Sequence, residues 1–174
     1  MSIRHERPAD IAAREALLDA AFGETRYRNS SERLREGRLP AEGLSLIAAD
    51  GKRVVGTARL WDVTCGDGKP ALLLGPVAVA CDCQGKGIGA GLVRRAIAAA
   101  RKRGHGAIVL VGDAAYYSRF GFSAEKTGAL AMPGPFERHR LLALELTPDA
   151  LGDAEGIIRA AGQPAVSEPA VRAA

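Results

Sequence analysis

The sequence predicts a mixed α/β fold with α+β layering, in which helices flank a mostly antiparallel central sheet that contains one parallel pair of strands. Three successive strand patterns joined by tight turns predict an antiparallel meander. A strand, a glycine-rich loop, a helix and another strand follow, and this order predicts a crossover to a parallel neighbour. The 174 residues, of which 47% are hydrophobic, are enough for one domain with its own core.

Alternation and helical periodicity divide the chain into short elements. The first half contains a strand at residues 2–6, a helix opened by Pro8 and ended by Gly23, a helical stretch at 30–38, and strands at 44–49, 54–63 and 71–80. The second half contains a helix from 88 to about 103, a strand at 107–111, a short helix at 114–119 and a last pair of strands at 129–132 and 140–145. We expect residues 1–148 to form the domain, and residues 149–174 to form a weak helix followed by a mobile tail.

Composition argues against several classes of protein. No apolar run reaches the roughly 18 residues that a membrane span needs, the first residues lack an apolar secretory core, and three cysteines do not make a disulfide framework. We therefore expect a cytoplasmic protein with no membrane partner. The net charge of +4 arises from basic residues scattered among acids, without interleaved aromatic side chains, so no nucleic-acid partner is expected.

A glycine-rich loop directly precedes the predicted helix at residue 88. Glycines at 85, 87, 89 and 91 let the backbone approach a ligand closely, and the first turn of a helix presents unpaired N–H groups and a partial positive charge. Phosphate suits such a site, and Lys86 adds a charge. A dinucleotide-binding fold is disfavoured because residues 80–84 separate the strand from the first glycine. A P-loop is disfavoured because no Gly-Lys-Ser/Thr ending is present.

Two segments resemble signature motifs of the GNAT superfamily of N-acetyltransferases. Gln84-Gly85-Lys86-Gly87-Ile88-Gly89-Ala90 matches the Q/R-x-x-G-x-G/A pyrophosphate loop of that family at every fixed position. Tyr117-Ser118-Arg119-Phe120-Gly121-Phe122 is similar to its Y-x-x-x-G-F signature. Residues 112–122 are particularly similar to a subgroup of small bacterial acetyltransferases, and the order of elements agrees from about residue 3 to residue 146.

The resemblance implies acetyl-CoA as the co-substrate. Acetyl-CoA would lie in a gap where the strand ending at Val79 splays from the strand at 107–111. It would form hydrogen bonds with the backbone of the strand ending at Val79, as an added strand does. The residues implied to bind it are Val77, Ala78, Val79, Gln84, Gly85, Lys86, Gly87, Ile88, Gly89, Ala90 and Tyr117. Arg94 and Arg119 are both left as candidates for the adenosine phosphate.

For catalysis, the resemblance implies two groups. Tyr117 would be the acid that protonates the departing thiolate, and the backbone N–H of Val79 would donate to the thioester carbonyl. The strand at residues 72–79 has no acidic residue, so the general base is not identified. The candidates that remain are Asp113, Glu24, Glu32 and Asp62.

No metal is expected. Cys81 and Cys83, with a distant Cys65 and no nearby histidine, fall short of the ligand set and spacing of a zinc site.

The predicted reaction is acetyl transfer from acetyl-CoA to a primary amine by direct attack in a ternary complex. The alternative is a CoA-binding sensor or regulatory module, which the missing strand glutamate favours and Tyr117 opposes. Residues 22–38 and 133–138 are expected to select the acceptor. Arginines 26, 28, 33 and 35 lie there among glutamates, and a solvated helix face is the expected environment for most of them. A homodimer is left open.

Overall fold

The computed structural model describes residues 1–166. The strands within them are β1 (Ser2–His5), β2 (Ser45–Asp50), β3 (Arg53–Cys65), β4 (Lys69–Val79), β5 (Ala107–Val111), β6 (Leu130–Ala131), β7 (Leu141–Glu145), β8 (Gly156–Ile157) and β9 (Arg159–Ala160). The helices are α1 (Ile11–Phe22), α2 (Glu32–Arg35), α3 (Ile88–Lys102) and α4 (Ala114–Tyr117), with short 3-10 turns between them.

The central sheet has the strand order β1-β2-β3-β4-β5-β7, and β9 pairs with the C-terminal end of β3. All neighbours are antiparallel except β4 and β5, which run parallel. The pairing of β4 with β5 is confined to two positions, Leu72 with Ile108 and Leu73 with Val109. Beyond these positions the two strands separate, so the predicted fold class, with its splayed parallel pair, is confirmed.

Alternate side chains of the central strands fill two cores on opposite faces of the sheet. Leu72 and Ile108 belong to the larger core, together with the buried stripe of α3 and two leucines of α1. Leu73 and Val109 belong to the smaller core. The sheet is therefore covered on both faces where β4 and β5 part.

A β-bulge lies where β4 leaves β5. Two residues of β4, Gly75 and Pro76, oppose the single residue Arg59 of β3. The buried indole N–H of Trp61 donates to the carbonyl of Gly75 at 2.7 Å and fixes the bulge. Bulges re-aim the strand that follows them, and here the following residues border the gap between β4 and β5.

The predicted helix after Pro148 is wrong. Between residues 149 and 166 the structure has turns and the strands β8 and β9. Positive φ angles at Asp149, Gly152 and Gly156, of 57°, 52° and 105°, are incompatible with a continuous helix. Leu151 and Ile158 are fully buried, so this segment contributes to the core. The mobile tail predicted after this helix lies mostly outside the described residues.

The predicted pairing of the last two strands is also wrong. β6 pairs in parallel with β8 in a separate small sheet, whereas β7 pairs with β5. The guanidinium of Arg138 donates to the carbonyls of Thr127, Gly128 and Leu130 at 3.1, 2.9 and 2.9 Å. These bonds hold the chain before and at β6 in a loop around one side chain, which sequence alternation does not reveal.

Candidate active site

The separation of β4 from β5 exposes one edge of β4. The N–H of Ala80 donates to Val55 of β3 at 2.9 Å. Because successive backbone groups of a strand point to opposite sides, the N–H groups of Val77 and Val79 point away from β3, into the gap. Ala78 is turned the other way, with its methyl group buried, so the structure does not bring this predicted binding residue into the gap.

The glycine-rich loop offers a row of backbone donors beside that edge. Among the described residues, the N–H groups of residues 85–90 have no backbone acceptor, and the first N–H bonded within α3 is that of Gly91, to the carbonyl of Gly87. The loop lines a cavity of about 470 Å³. Lys86 is exposed and Ile88 is buried in the core, so Ile88 can contribute only its backbone. The amide of Gln84 donates to the carbonyl of Val79 at 3.4 Å and ties the loop to β4.

The four glycines of the loop have different structural causes. Gly85 and Gly87 have φ angles of 75° and 79°, a left-handed conformation that favours glycine. A Cβ on Gly89 would lie 3.4 Å from the hydroxyl of Tyr116, which is an ordinary contact distance, so neither space nor backbone conformation requires glycine there. A Cβ on Gly91 would instead lie 3.1 Å from Ile3 of β1, so Gly91 serves packing.

Tyr117 stands at the end of α4, just beyond β5. Asp113 begins this helix by accepting a backbone N–H of its first turn at 2.9 Å. The ring of Tyr117 packs edge-on against Tyr116 and Phe122, with centroids 5.0 and 5.9 Å apart. Gly112 leaves room for the ring, because a Cβ there would lie 2.6 Å from its Cε2.

Burial raises the pKa of Tyr117 to about 12, with a further contribution from Tyr116, while the positive charge of Arg140 acts in the opposite direction. The phenol is therefore protonated at neutral pH. A protonated phenol at this position is able to donate a proton to a leaving group.

A second cavity, of about 270 Å³, adjoins the first on the side of α1 and α2. Val77 and Tyr117 line both cavities. The charged and hydrogen-bonding side chains of the second cavity, other than Tyr117, are Arg26, Asn29, Ser31, Glu32, Arg35, Asp113 and Arg140. The two cavities thus meet at Tyr117, with backbone donors on one side and charged side chains on the other.

Two of the four acidic candidates for the base lie at this second cavity. Glu32 and Asp113 line it, whereas Glu24 and Asp62 line neither cavity. Both carboxylates are already engaged, since Glu32 accepts from Arg35 at 3.1 Å and Asp113 caps α4. Of the four candidates for the general base, only Glu32 and Asp113 therefore line one of the two cavities.

Two of the arginines expected on a solvated helix face are largely shielded from solvent instead, since Arg35 is buried and Arg26 is partly buried. The side chains of Arg26 and Arg35 are only 10% and 7% exposed. Arg26 pairs with Glu15 at 2.6 Å, and Arg35 pairs with Glu32. Burial of Arg35 lowers its pKa despite that partner. These arginines form the wall of the second cavity.

Sequence reasoning missed Arg140. This residue immediately precedes β7, and its carbonyl accepts the N–H of Gly112 at 2.9 Å. The antiparallel pairing of β5 with β7 therefore places Arg140 beside the end of β5, near Tyr117. Correct pairing of β7 was the signal that could have found it.

The structure separates the two arginines considered for the adenosine phosphate. Arg119 lines the loop cavity, and its guanidinium stacks on the ring of Tyr116 at 4.4 Å. Arg94 stacks on Phe120 at 5.4 Å and does not line the loop cavity, although both arginines line a neighbouring surface recess. The position of Arg119 suits a phosphate of a ligand in the loop cavity.

Neither a cluster of metal ligands nor a membrane-spanning helix occurs within residues 1–166. No group of three or more histidine, cysteine, aspartate or glutamate side chains in this range could hold a metal ion. Over the same range, no helix combines the length and the hydropathy needed to cross a membrane.

The sequence profile of the acetyltransferase (GNAT) family matches residues 11–122. The chain belongs to this family. The prediction made from the glycine loop and the Tyr117 motif is thereby confirmed. The profile match includes the gap, the loop and Tyr117.

The chain is similar to several bacterial GNAT proteins. The uncharacterized N-acetyltransferase YhbS of Escherichia coli strain K12 is 29% identical over 160 residues, which are 91% of this chain and 95% of that protein. The crystal structure of E. coli YhbS in complex with CoA has a TM-score of 0.77, with 29% identity over 92% of this chain and 89% of that one. A GNAT acetyltransferase from Brucella melitensis in complex with acetyl-CoA has a TM-score of 0.65, with 31% identity over 97% of this chain and 96% of that one.

Proposed function

We propose that this GNAT protein transfers an acetyl group from acetyl-CoA to a primary amine by direct attack in a ternary complex. The meeting of two cavities at Val77 and Tyr117 carries the proposal, because it gives the two substrates separate entrances and a common end. Solved relatives that hold CoA and acetyl-CoA support the choice of co-substrate.

The loop cavity has the donors that acetyl-CoA requires. Its pyrophosphate would accept N–H groups of residues 85–90, helped by the positive pole of α3 and by Lys86. The pantetheine amides would pair with the exposed edge of β4 at Val77 and Val79, as an added strand does. Arg119 would meet a phosphate at the mouth of the cavity.

In the transfer step, the amine nitrogen forms a bond to the thioester carbon while the carbon–sulfur bond breaks. The N–H of Val79 would donate to the carbonyl oxygen as negative charge develops on it. The hydroxyl of Tyr117 would protonate the departing thiolate. The proton lost by the amine passes into the second cavity, whose carboxylates are Glu32 and Asp113.

Thiol release from acetyl-CoA over a panel of primary amines tests this proposal. We expect release that depends on the amine and an equal amount of acetylated product by mass spectrometry. A CoA-binding sensor would instead be stabilised against heat by acetyl-CoA without any amine-dependent release. Thermal protection by NAD alone would contradict the site itself.

A further inference from the structure

We propose that the acceptor is a small amine that also carries a carboxylate, an amino acid in the broad chemical sense, and that Arg140 binds this carboxylate. The inference rests on the proposed function and names the substrate class of its second cavity. That cavity, of about 270 Å³, lies just below the roughly 300–1,000 Å³ of typical small-molecule sites. The space beside Tyr117 therefore fits a small amine group, and the adjoining recess of about 560 Å³ leaves room for its substituents.

Within the described part of the chain, Arg140 is the one cation of this cavity whose side chain has no hydrogen-bond or acidic partner. Arg26 is held by Glu15 and Asp19 at 2.6 and 3.0 Å. Arg35 is held by Glu32 at 3.1 Å. The half-buried guanidinium of Arg140 is thus available to an anion that enters the cavity.

The position of Arg140 assigns its charge to the acceptor and not to the co-substrate phosphates. Arg140 lines the second cavity and the recess that continues from it towards Phe136, but not the loop cavity. Arg140 lines the same cavity as Tyr117, which also lines the loop cavity, so Arg140 lies near the point where the two cavities meet. A molecule whose carboxylate binds Arg140 could therefore place its amine near Tyr117.

The mixed charge of the wall matches a zwitterion. Asp113, whose carboxylate has no ion-pair partner among the described residues, offers negative charge to the ammonium group before it loses its proton, and Arg140 offers positive charge to the carboxylate. A monoamine without a carboxylate would cover the guanidinium without pairing it, which is costly. Sites that expect a charged or hydrogen-bonding group reject analogues that lack it for this reason.

The test compares matched acceptors on wild-type protein and on Arg140→Gln. The probes are the common α-amino acids, their carboxamides and the corresponding alkylamines, with thiol release and thermal shift as readouts. We expect the carboxylated member of each active set to be preferred by about thirty-fold or more in kcat/KM, mainly through KM. Arg140→Gln should abolish that preference, and Arg140→Lys should restore part of it.

Several controls separate the possible outcomes. Arg95→Gln removes an exposed arginine that lines neither cavity and should leave the preference intact. An indirect effect of Arg140 on Tyr117 would slow acids and carboxamides equally, which would overturn the inference. Turnover of carboxamides or alkylamines as fast as acids would also overturn it, while leaving the proposed function standing. It is also possible to test the inference if no amine is acetylated, which would mean that the proposed function fails. In that case, a carboxylated amine that raises the melting temperature of wild type but not of Arg140→Gln would support the inference. No thermal shift with any carboxylated amine would overturn both the inference and the proposed function.

Discussion

Gly112 determines where the phenol of Tyr117 can stand. A Cβ at this position would come 2.6 Å from the ring, a distance that packed atoms do not tolerate. The ring of Tyr117 also packs against Tyr116 and Phe122, so it cannot move away from Gly112 without disturbing these contacts. The ring must therefore shift if Gly112 acquires a side chain.

We predict that Gly112→Ala lowers kcat by about a hundred-fold, since displacement of a reacting group by about 1 Å costs that much. Overpacking should also reduce the free energy of unfolding by about 1–3 kcal/mol. Steady-state thiol release and urea unfolding measure the two effects. Gly128→Ala is the matched control, because a Cβ at that exposed position would meet nothing within 4 Å. Full activity of Gly112→Ala would contradict the placement of the ring.

Single residues were predictable where a local motif fixes them, and not where distant partners do. The positions of Val77, Val79 and Tyr117 follow from a strand and a short helix that the sequence encodes locally. The position of the Arg26 side chain depends on its ion pair with Glu15, which lies on a different helix, and Arg140 reaches the site only through pairing of β5 with β7. Contacts between elements of this kind leave no periodic signal in the sequence.

At the scale of the elements, the glycines of the loop and of α3 have two separate roles, one in ligand binding and one in helix packing. Gly87 lies at the start of α3 with a φ of 79°, whereas Gly91 lies inside the helix and faces Ile3 of β1. The first therefore shapes the row of N–H donors, and the second allows the helix to approach the sheet.

We predict that Gly87→Ala and Gly91→Ala separate these duties. Gly87→Ala forces alanine into a left-handed conformation at a cost of about 1–2 kcal/mol and should weaken acetyl-CoA binding by about tenfold or more. In Gly91→Ala, a gain in helix propensity of about 1 kcal/mol opposes the contact with Ile3, and binding should be unchanged. Calorimetric titration with acetyl-CoA measures both Kd values. Equal loss of affinity in the two variants would refute the division.

Helices and strands were predicted correctly where a hydrophobic pattern extends over many residues. They were predicted wrongly where side-chain hydrogen bonds, and not regular backbone pairing, hold the chain. The meander and α3 have sustained alternation or a sustained apolar stripe, and both are found. The loop around Arg138 and the glycine-interrupted segment after Pro148 have neither signal. Two-residue strands such as β8 and β9 are too short to produce one.

At the scale of the whole molecule, the segment after Pro148 links parts of the fold that are distant in the sequence. Its strand β9 pairs with β3, and the N–H of Leu39, shortly after α2, donates to Gln163 at 2.8 Å. The N–H of Ile158 donates to Ala131 of β6 at 2.8 Å, and its side chain is fully buried. This segment therefore joins the sheet, the small sheet and the chain after α2.

We predict that Ile158→Ala reduces the free energy of unfolding by about 2–5 kcal/mol, because it leaves a cavity in the smaller core. Urea unfolding followed by circular dichroism gives the value. Val166→Ala, at a side chain that is 89% exposed, should change stability by less than about 0.5 kcal/mol. A loss at Ile158 as small as that at Val166 would mean that the segment is only a loosely attached tail.

The central claim is that acetyl transfer occurs where the two cavities meet, with Tyr117 as the proton donor. Tyr117→Phe removes one hydroxyl and keeps the packed ring, so its kcat for amine-dependent thiol release tests the claim most directly. The account predicts a fall of about 100- to 10,000-fold in kcat, while the Kd for acetyl-CoA stays within about twofold of wild type. An unchanged kcat in Tyr117→Phe would contradict it.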